Sequence, residues 1–144
     1  MEGKVTVSVS SRSVFGGVAD ELRFAGEGTL HKTDYGWHLR YEAVNTEDGK
    51  STVASDVKLE KEQGRAVLIN ESDGGGYGLL LDPKHATATQ IQTGEGAMNL
   101  NVATREVKWN LSGKKQGSIH LQYSLLVGLQ PLSALEVSIR VELA

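Results

Sequence analysis

The segment Asp48-Gly-Lys-Ser-Thr52 ends like a phosphate-binding loop, in which backbone amides cradle phosphate and a lysine meets its charge. The full loop needs a glycine five positions before Gly49, and that position is Val44. Such a loop must also lead from a strand into a helix, whose N-terminus supplies donors and a favourable dipole. The residues that follow, Val53, Val57 and Leu59, instead keep the two-residue period of a strand. Asp-Gly is a favoured hairpin pair, so the segment reads as a turn. Asp73-Gly-Gly-Gly-Tyr-Gly78 offers a Gly-x-Gly, but Leu79 stands where the third glycine of a dinucleotide fingerprint belongs. It reads as a glycine-rich loop free to close as a lid.

Four histidines, His31, His38, His85 and His120, are the candidate metal ligands or bases. His31 and His38 face one another if the segments around them form a hairpin. Two imidazoles still need a third or fourth ligand, and Glu27 and Glu42 are the carboxylates at hand. The expectation is surface histidines and no metal site. Arg40 and Glu42 share one face of a strand, with Thr29 close by; they form the core of an enzyme site only if that face lines a lumen. On an outer face they are a solvated pair worth about 0–1 kcal/mol. No Gly-x-Ser-x-Gly or His-Glu-x-x-His occurs, and there is no cysteine to act as nucleophile, cross-link or metal ligand. No catalytic residues are assigned, no cofactor is implied, and the protein is expected not to be an enzyme.

These residues are carried by strands. Apolar side chains alternate in Val5–Val9, Trp37–Tyr41, Val53–Leu59, Met98–Val102, Val107–Leu111, Ile119–Val127 and Leu135–Leu143. Period two means one face buried and one wet. Turn signals separate the runs at Thr33-Asp-Tyr-Gly36, Glu47-Asp-Gly49, Glu62-Gln-Gly64, Asp82-Pro-Lys84, Thr93-Gly-Glu-Gly96 and Ser112–Gly117. Only Ser13 to Leu22 could hold a helical turn. Short connections predict an antiparallel meander of about eight to ten strands, folded as packed sheets or a barrel. A two-residue turn at Asp34-Tyr35 sets Leu30 opposite Leu39 and brings both apolar sets to one face. Gly26 and Gly28 fall on that apolar face, where barrels bend their strands, and this favours the barrel.

The 144 residues carry a net charge of -3, which argues against nucleic acid as a partner. No apolar run approaches the ~20 residues that span a bilayer, so no membrane partner is expected. Met1-Glu-Gly-Lys-Val lacks the basic head and apolar run of a signal peptide, and the absence of cysteine suits a reducing compartment. The expectation is one soluble, cytoplasmic domain over residues 1–144.

Leu39-Arg-Tyr-Glu42 with its acidic turn, Thr93-Gly-Glu-Gly96 leading into Met98–Thr104, and Leu121-Gln-Tyr-Ser-Leu125 resemble the YwiB-like family of small bacterial proteins of unknown function. The resemblance runs from about Gly26 to the C-terminus and implies a calycin-like (lipocalin-like) antiparallel β-barrel, not a reaction. Two positions depart from the family pattern. Ile91 replaces a tyrosine two residues before the hairpin threonine, and Asn70-Glu71 stands where a basic residue ends the fifth strand.

Trp37, Tyr41, Met98, Trp109 and Tyr123 are expected to meet inside the barrel, either as packed core or as the lining of a cavity for one small apolar ligand. Non-catalytic ligand binding is the leading expectation. The alternative is an interaction or self-association module with a filled core, hence a homo-oligomer.

Overall fold

A computed structural model of the chain describes residues 1–72, 75–93 and 95–144. The described residues form β1 (Gly3–Phe15), β2 (Val18–Lys32), β3 (Gly36–Asn45), β4 (Thr52–Glu60), β5 (Arg65–Ser72), β6 (Gly75–Leu81), β7 (Thr87–Thr93), β8 (Gly96–Asn110), β9 (Gln116–Val127) and β10 (Gln130–Leu143). All ladders are antiparallel, in the order β6-β5-β4-β3-β2-β1-β10-β9-β8-β7. The first and last strands pair through eleven positions, from Val5 opposite Leu143 to Phe15 opposite Ser133, and this pairing turns a meander into a barrel.

The remaining seam lies between β6 and β7. No backbone ladder crosses it among the described residues. Instead the Thr87 hydroxyl donates to the Leu80 carbonyl and the Thr89 hydroxyl to the Gly78 carbonyl, each at 2.6 Å. Threonine side chains thus satisfy carbonyls that a neighbouring strand would otherwise meet. The barrel is nearly closed.

The interior is filled. Leu30, Leu39, Val57, Leu59, Leu81, Leu121 and Val141 are essentially excluded from water, and they come from β2, β3, β4, β6, β9 and β10. The β2–β3 register is the one the alternation requires, with Leu30 opposite Leu39, His31 opposite His38, and a Thr33 amide to Gly36 carbonyl bond of 2.9 Å closing the turn. Gly26 and Gly28 fall at the inward parity of Leu30, where β3 lies too close for a side chain. A Cβ on Gly28 would sit 2.1 Å from the Arg40 carbonyl oxygen, and one on Gly26 only 1.9 Å from that of Glu42.

β8 changes parity along its length. Leu100, Val102 and Thr104 share the inner face with Val107 and Trp109, an even set followed by an odd one. A bulge at Arg105 supplies the extra residue, since Thr104 opposes Tyr123 while Glu106 opposes Gln122.

Two expectations need correction. Ser13–Leu22 holds no helical turn; it is the β1–β2 hairpin, with Phe15 opposite Val18. Gly16 and Gly17 take φ of 56° and 80°, the double positive φ of a tight hairpin turn that a helix cannot use. The segment read as a glycine-rich lid is largely strand, because Gly75–Gly78 belong to β6; Asp73 and Gly74 lie outside the described residues.

Candidate functional site

At one end of the barrel an open cleft of about 910 Å³ lies among the β2–β3, β4–β5 and β8–β9 turns. Trp37, the second residue of β3, and Trp109, near the end of β8, both line it. β3 and β8 are five strands apart in either direction round the order, so the two indoles come from opposite walls. Each is half-buried against the core. Tyr35, at the tip of the β2–β3 turn, adds a third aromatic ring that is 78% exposed. An ion pair between the Arg65 guanidinium and the Glu60 carboxylate borders the same cleft.

The five residues expected to meet do not form one site. Tyr41 and Tyr123 lie deeper: Tyr41 is four residues further along β3 than Trp37, about 13 Å at a strand's rise. Met98 is eleven residues before Trp109 on β8, roughly 35 Å away, and is 41% exposed. It belongs to the far end of the barrel. The alternation was right about the inner face and blind to position along the barrel axis, which turn lengths and the ring order decide.

Tyr41 and Tyr123 join a buried polar row that the sequence reading missed. Ladder partners carry it across four strands, from Tyr41 to Ser55, Ser55 to Asn70, and Asn70 to Tyr77. The Ser55 hydroxyl donates to the Asn70 Oδ1, and the Asn70 amide donates to the Tyr77 hydroxyl at 2.8 Å. Tyr41 meets Ser55, and Tyr123 reaches Tyr77 from the opposite side. Burial, reinforced by the neighbouring phenols, pushes the Tyr123 hydroxyl up from its ordinary pKa. Burial likewise raises Tyr41, against the lowering effect of Ser55. Both phenols therefore stay neutral. Thr104, opposite Tyr123, keeps a buried hydroxyl oxygen with no partner among the described residues. The signal was present in the sequence: Ser55 sits at the inward parity of Val53 and Val57, and Asn70 at that of Ala66 and Leu68.

Arg40 and Glu42 lie on the outer face and do not pair with each other. Arg40 Nε donates to Asp56 Oδ1 at 2.9 Å, and His38 Nε2 lies 2.7 Å from the same oxygen. Partial burial pushes the Asp56 carboxyl up, but the hydrogen bonds from Arg40 and His38 outweigh it and hold the group below the ordinary carboxylate range. Glu42 stands opposite Glu27 and Ala54 in the ladders. No lumen is lined by this face.

The Asp48-Gly-Lys-Ser turn carries its own anion. Asp48 Oδ1 accepts the amides of Lys50 and Ser51 at 2.8 and 2.9 Å, and the Ser51 hydroxyl donates to Oδ2. The Ser51 hydroxyl first, and then these amides, hold the Asp48 carboxyl below its usual range. Donors that a phosphate would need are already bound to a carboxylate, and β4 follows rather than a helix.

No helix is long and apolar enough to cross a membrane among the described residues. A search of curated proteins finds no match. The crystal structure of the ywiB protein from Bacillus subtilis superposes with a TM-score of 0.77 at 19% identity, covering 99% of this chain and 93% of that one. At that identity the likeness is one of fold. The family described as "Domain of unknown function (DUF1934)" matches residues 7–139, from Val7 in β1 to Ile139 in the closing strand. With nearly the whole barrel inside that match, the chain belongs to the DUF1934 family.

Proposed function

We propose that the protein is a non-catalytic binder of a small organic molecule, and that the ligand sits at the barrel mouth rather than in the filled interior. The observation that carries this is the open cleft flanked by Trp37 and Trp109 from opposite walls. Its volume of about 910 Å³ falls in the range of small-molecule sites, and half-buried indoles offer large apolar faces at low cost in side-chain entropy. Tyr41 and Tyr123 support the site from below as part of the buried core, and Met98 takes no part. We read the barrel as calycin-like and its setting as the bacterial cytoplasm.

The chain has two tryptophans and both line the cleft, so in the folded protein selectively excited tryptophan fluorescence reports from this site. Native mass spectrometry of the protein as purified, repeated after denaturation, should reveal a bound mass that denaturation releases. Titration with neutral small molecules that pair an apolar face with hydrogen-bonding groups should quench the indoles, and at least one should saturate. An apo mass together with unresponsive indoles would remove the proposal.

A second reading, self-association, has its own observation. β3 pairs with β2 only from Phe24 onward, so among the described residues Val18–Leu22 have β1 as their sole ladder partner. This free edge carries Val18 (69% exposed) and Leu22, with the exposed Phe15 opposite Val18 on β1. Edge pairing between two copies, centred on Asp20, would set Val18 of one opposite Leu22 of the other. Light scattering should then show a dimer that Val18→Lys converts to monomer; a concentration-independent monomer of the unmodified chain sinks this reading.

A further inference from the structure

We infer that the ligand of the mouth cleft is a neutral carbohydrate, an inference that rests on the cleft being the ligand site. The charge of the lining points first. Lys32, Lys61 and Arg65 are matched by Asp34, Glu60 and Glu62, so the cleft has no net charge with which to select an ion. Its best-placed cation, Arg65, is already held by Glu60. A phosphate or carboxylate ligand would have to displace that carboxylate and would find acidic neighbours.

A purely apolar ligand fits no better. Covering the six charged side chains of the rim with hydrocarbon would strip them of water without replacing their hydrogen bonds. The ligand must therefore present apolar faces to the rings and hydrogen-bonding groups to the rim. Pyranose rings have this division. Their axial C–H groups form faces that pack on the negative face of an aromatic ring, and their equatorial hydroxyls point sideways as donors and acceptors. The lining answers both halves, with Tyr35, Trp37 and Trp109 as platforms and Asn110, Glu60 and Arg65 able to accept or donate at the edges.

The shape of the site points the same way. The cleft is open between three turns rather than enclosed, and Tyr35 stands at its outer rim with most of its surface in water. An enclosed pocket suits a compact ligand. An open groove with a projecting phenol suits a chain that enters and leaves, with one sugar on the outer ring and others on the indoles.

The test is fluorescence titration of the full chain with cellohexaose, maltohexaose and chitohexaose, with adenosine as a neutral planar control and the uncharged dye N-phenyl-1-naphthylamine as an apolar one. At least one hexasaccharide should give a saturable change with millimolar or tighter affinity. Tyr35→Ala should weaken it about tenfold with no change in Tm, because that ring packs little against the fold. Trp37→Ala should abolish it, with circular dichroism to show that the barrel persists. If the dye or adenosine binds and no saccharide does, the carbohydrate assignment is overturned while the cleft stands as a binding site. If none of the five probes binds and the purified protein carries no bound mass, both fall.

Discussion

Replacing Gly28 by alanine should test the cause of the barrel's curvature directly. The new Cβ would lie 2.1 Å from the Arg40 carbonyl oxygen, 2.8 Å from the Tyr41 Cβ and 2.9 Å from its Cα. Carbon atoms meet non-bonded neighbours at about 3.5–4.0 Å, so β2 and β3 must part locally by more than ~1 Å. The clashing atoms are backbone or rooted on it, and no flexible side chain can move aside. Overpacking of this kind costs about 1–3 kcal/mol. Ladder bonds stretched on either side add about 0.5–1.5 kcal/mol each. With one bond on either side the sum is about 2–6 kcal/mol, a large share of the about 5–15 kcal/mol that holds a domain together. Gly78 is the control. It faces outward opposite Ile69, a Cβ there would find only the Ile69 Cγ1 at 3.8 Å, and its φ is not positive. Gly78→Ala should be neutral or stabilising by up to about 1 kcal/mol, through a less flexible unfolded chain. Urea titrations followed by tryptophan fluorescence give both values. A Gly28→Ala loss under about 1 kcal/mol, or equal losses at the two sites, would refute the close-approach argument.

Tyr77→Phe removes the acceptor of the Asn70 amide inside the barrel, and urea titration should show a loss of about 1–2 kcal/mol; no loss would mean that the polar row is not coupled. Asp56→Asn tests the outer cluster. Because the folded carboxyl is held low, the unfolded chain binds more protons as acid is added, so this group's stabilisation is present above about pH 4 and is lost below it. The unmodified protein should exceed Asp56→Asn by roughly 1 kcal/mol at neutral pH, with the gap narrowing as the pH falls below the ordinary carboxylate range; a gap independent of pH would contradict the assignment. The double change Thr87→Val and Thr89→Val removes the hydroxyls that bridge β6 and β7. Amide exchange in those two strands should accelerate roughly tenfold while β1 and β10 stay protected, and uniform exchange would show that the seam closes by other means.

The architecture was legible because a half-buried strand writes its two faces into alternating residues. Val5–Val9 and Ile119–Leu125 are inward as their period requires, and the Leu30–Leu39 pairing follows from parity and a two-residue turn. Even the glycines at 26 and 28 marked where two strands draw together. Ser13–Leu22 misled because mixed small and apolar residues fit several local patterns, and only the positive φ at Gly16 and Gly17 selects the hairpin.

The site was legible only in part. Alternation tells which face a residue occupies and nothing of its height in the barrel or of the wall it faces. So Met98 and Trp109, inward on one strand, lie at opposite ends, while Trp37 and Trp109, far apart in sequence, flank one cleft. The polar row of Ser55, Asn70 and Tyr77 needed two ladder registers at once before its members could be seen to touch. Arg40 took Asp56 as its partner because the β3–β4 register placed that carboxylate directly across. The sequence by itself determined strands, faces and turns, which depend on neighbours along the chain. Ring order, register and the bulge at Arg105 decided which side chains meet, and the meetings across the barrel, Trp37 with Trp109 at the cleft and Tyr123 with Tyr77, exist only once β1 has closed on β10.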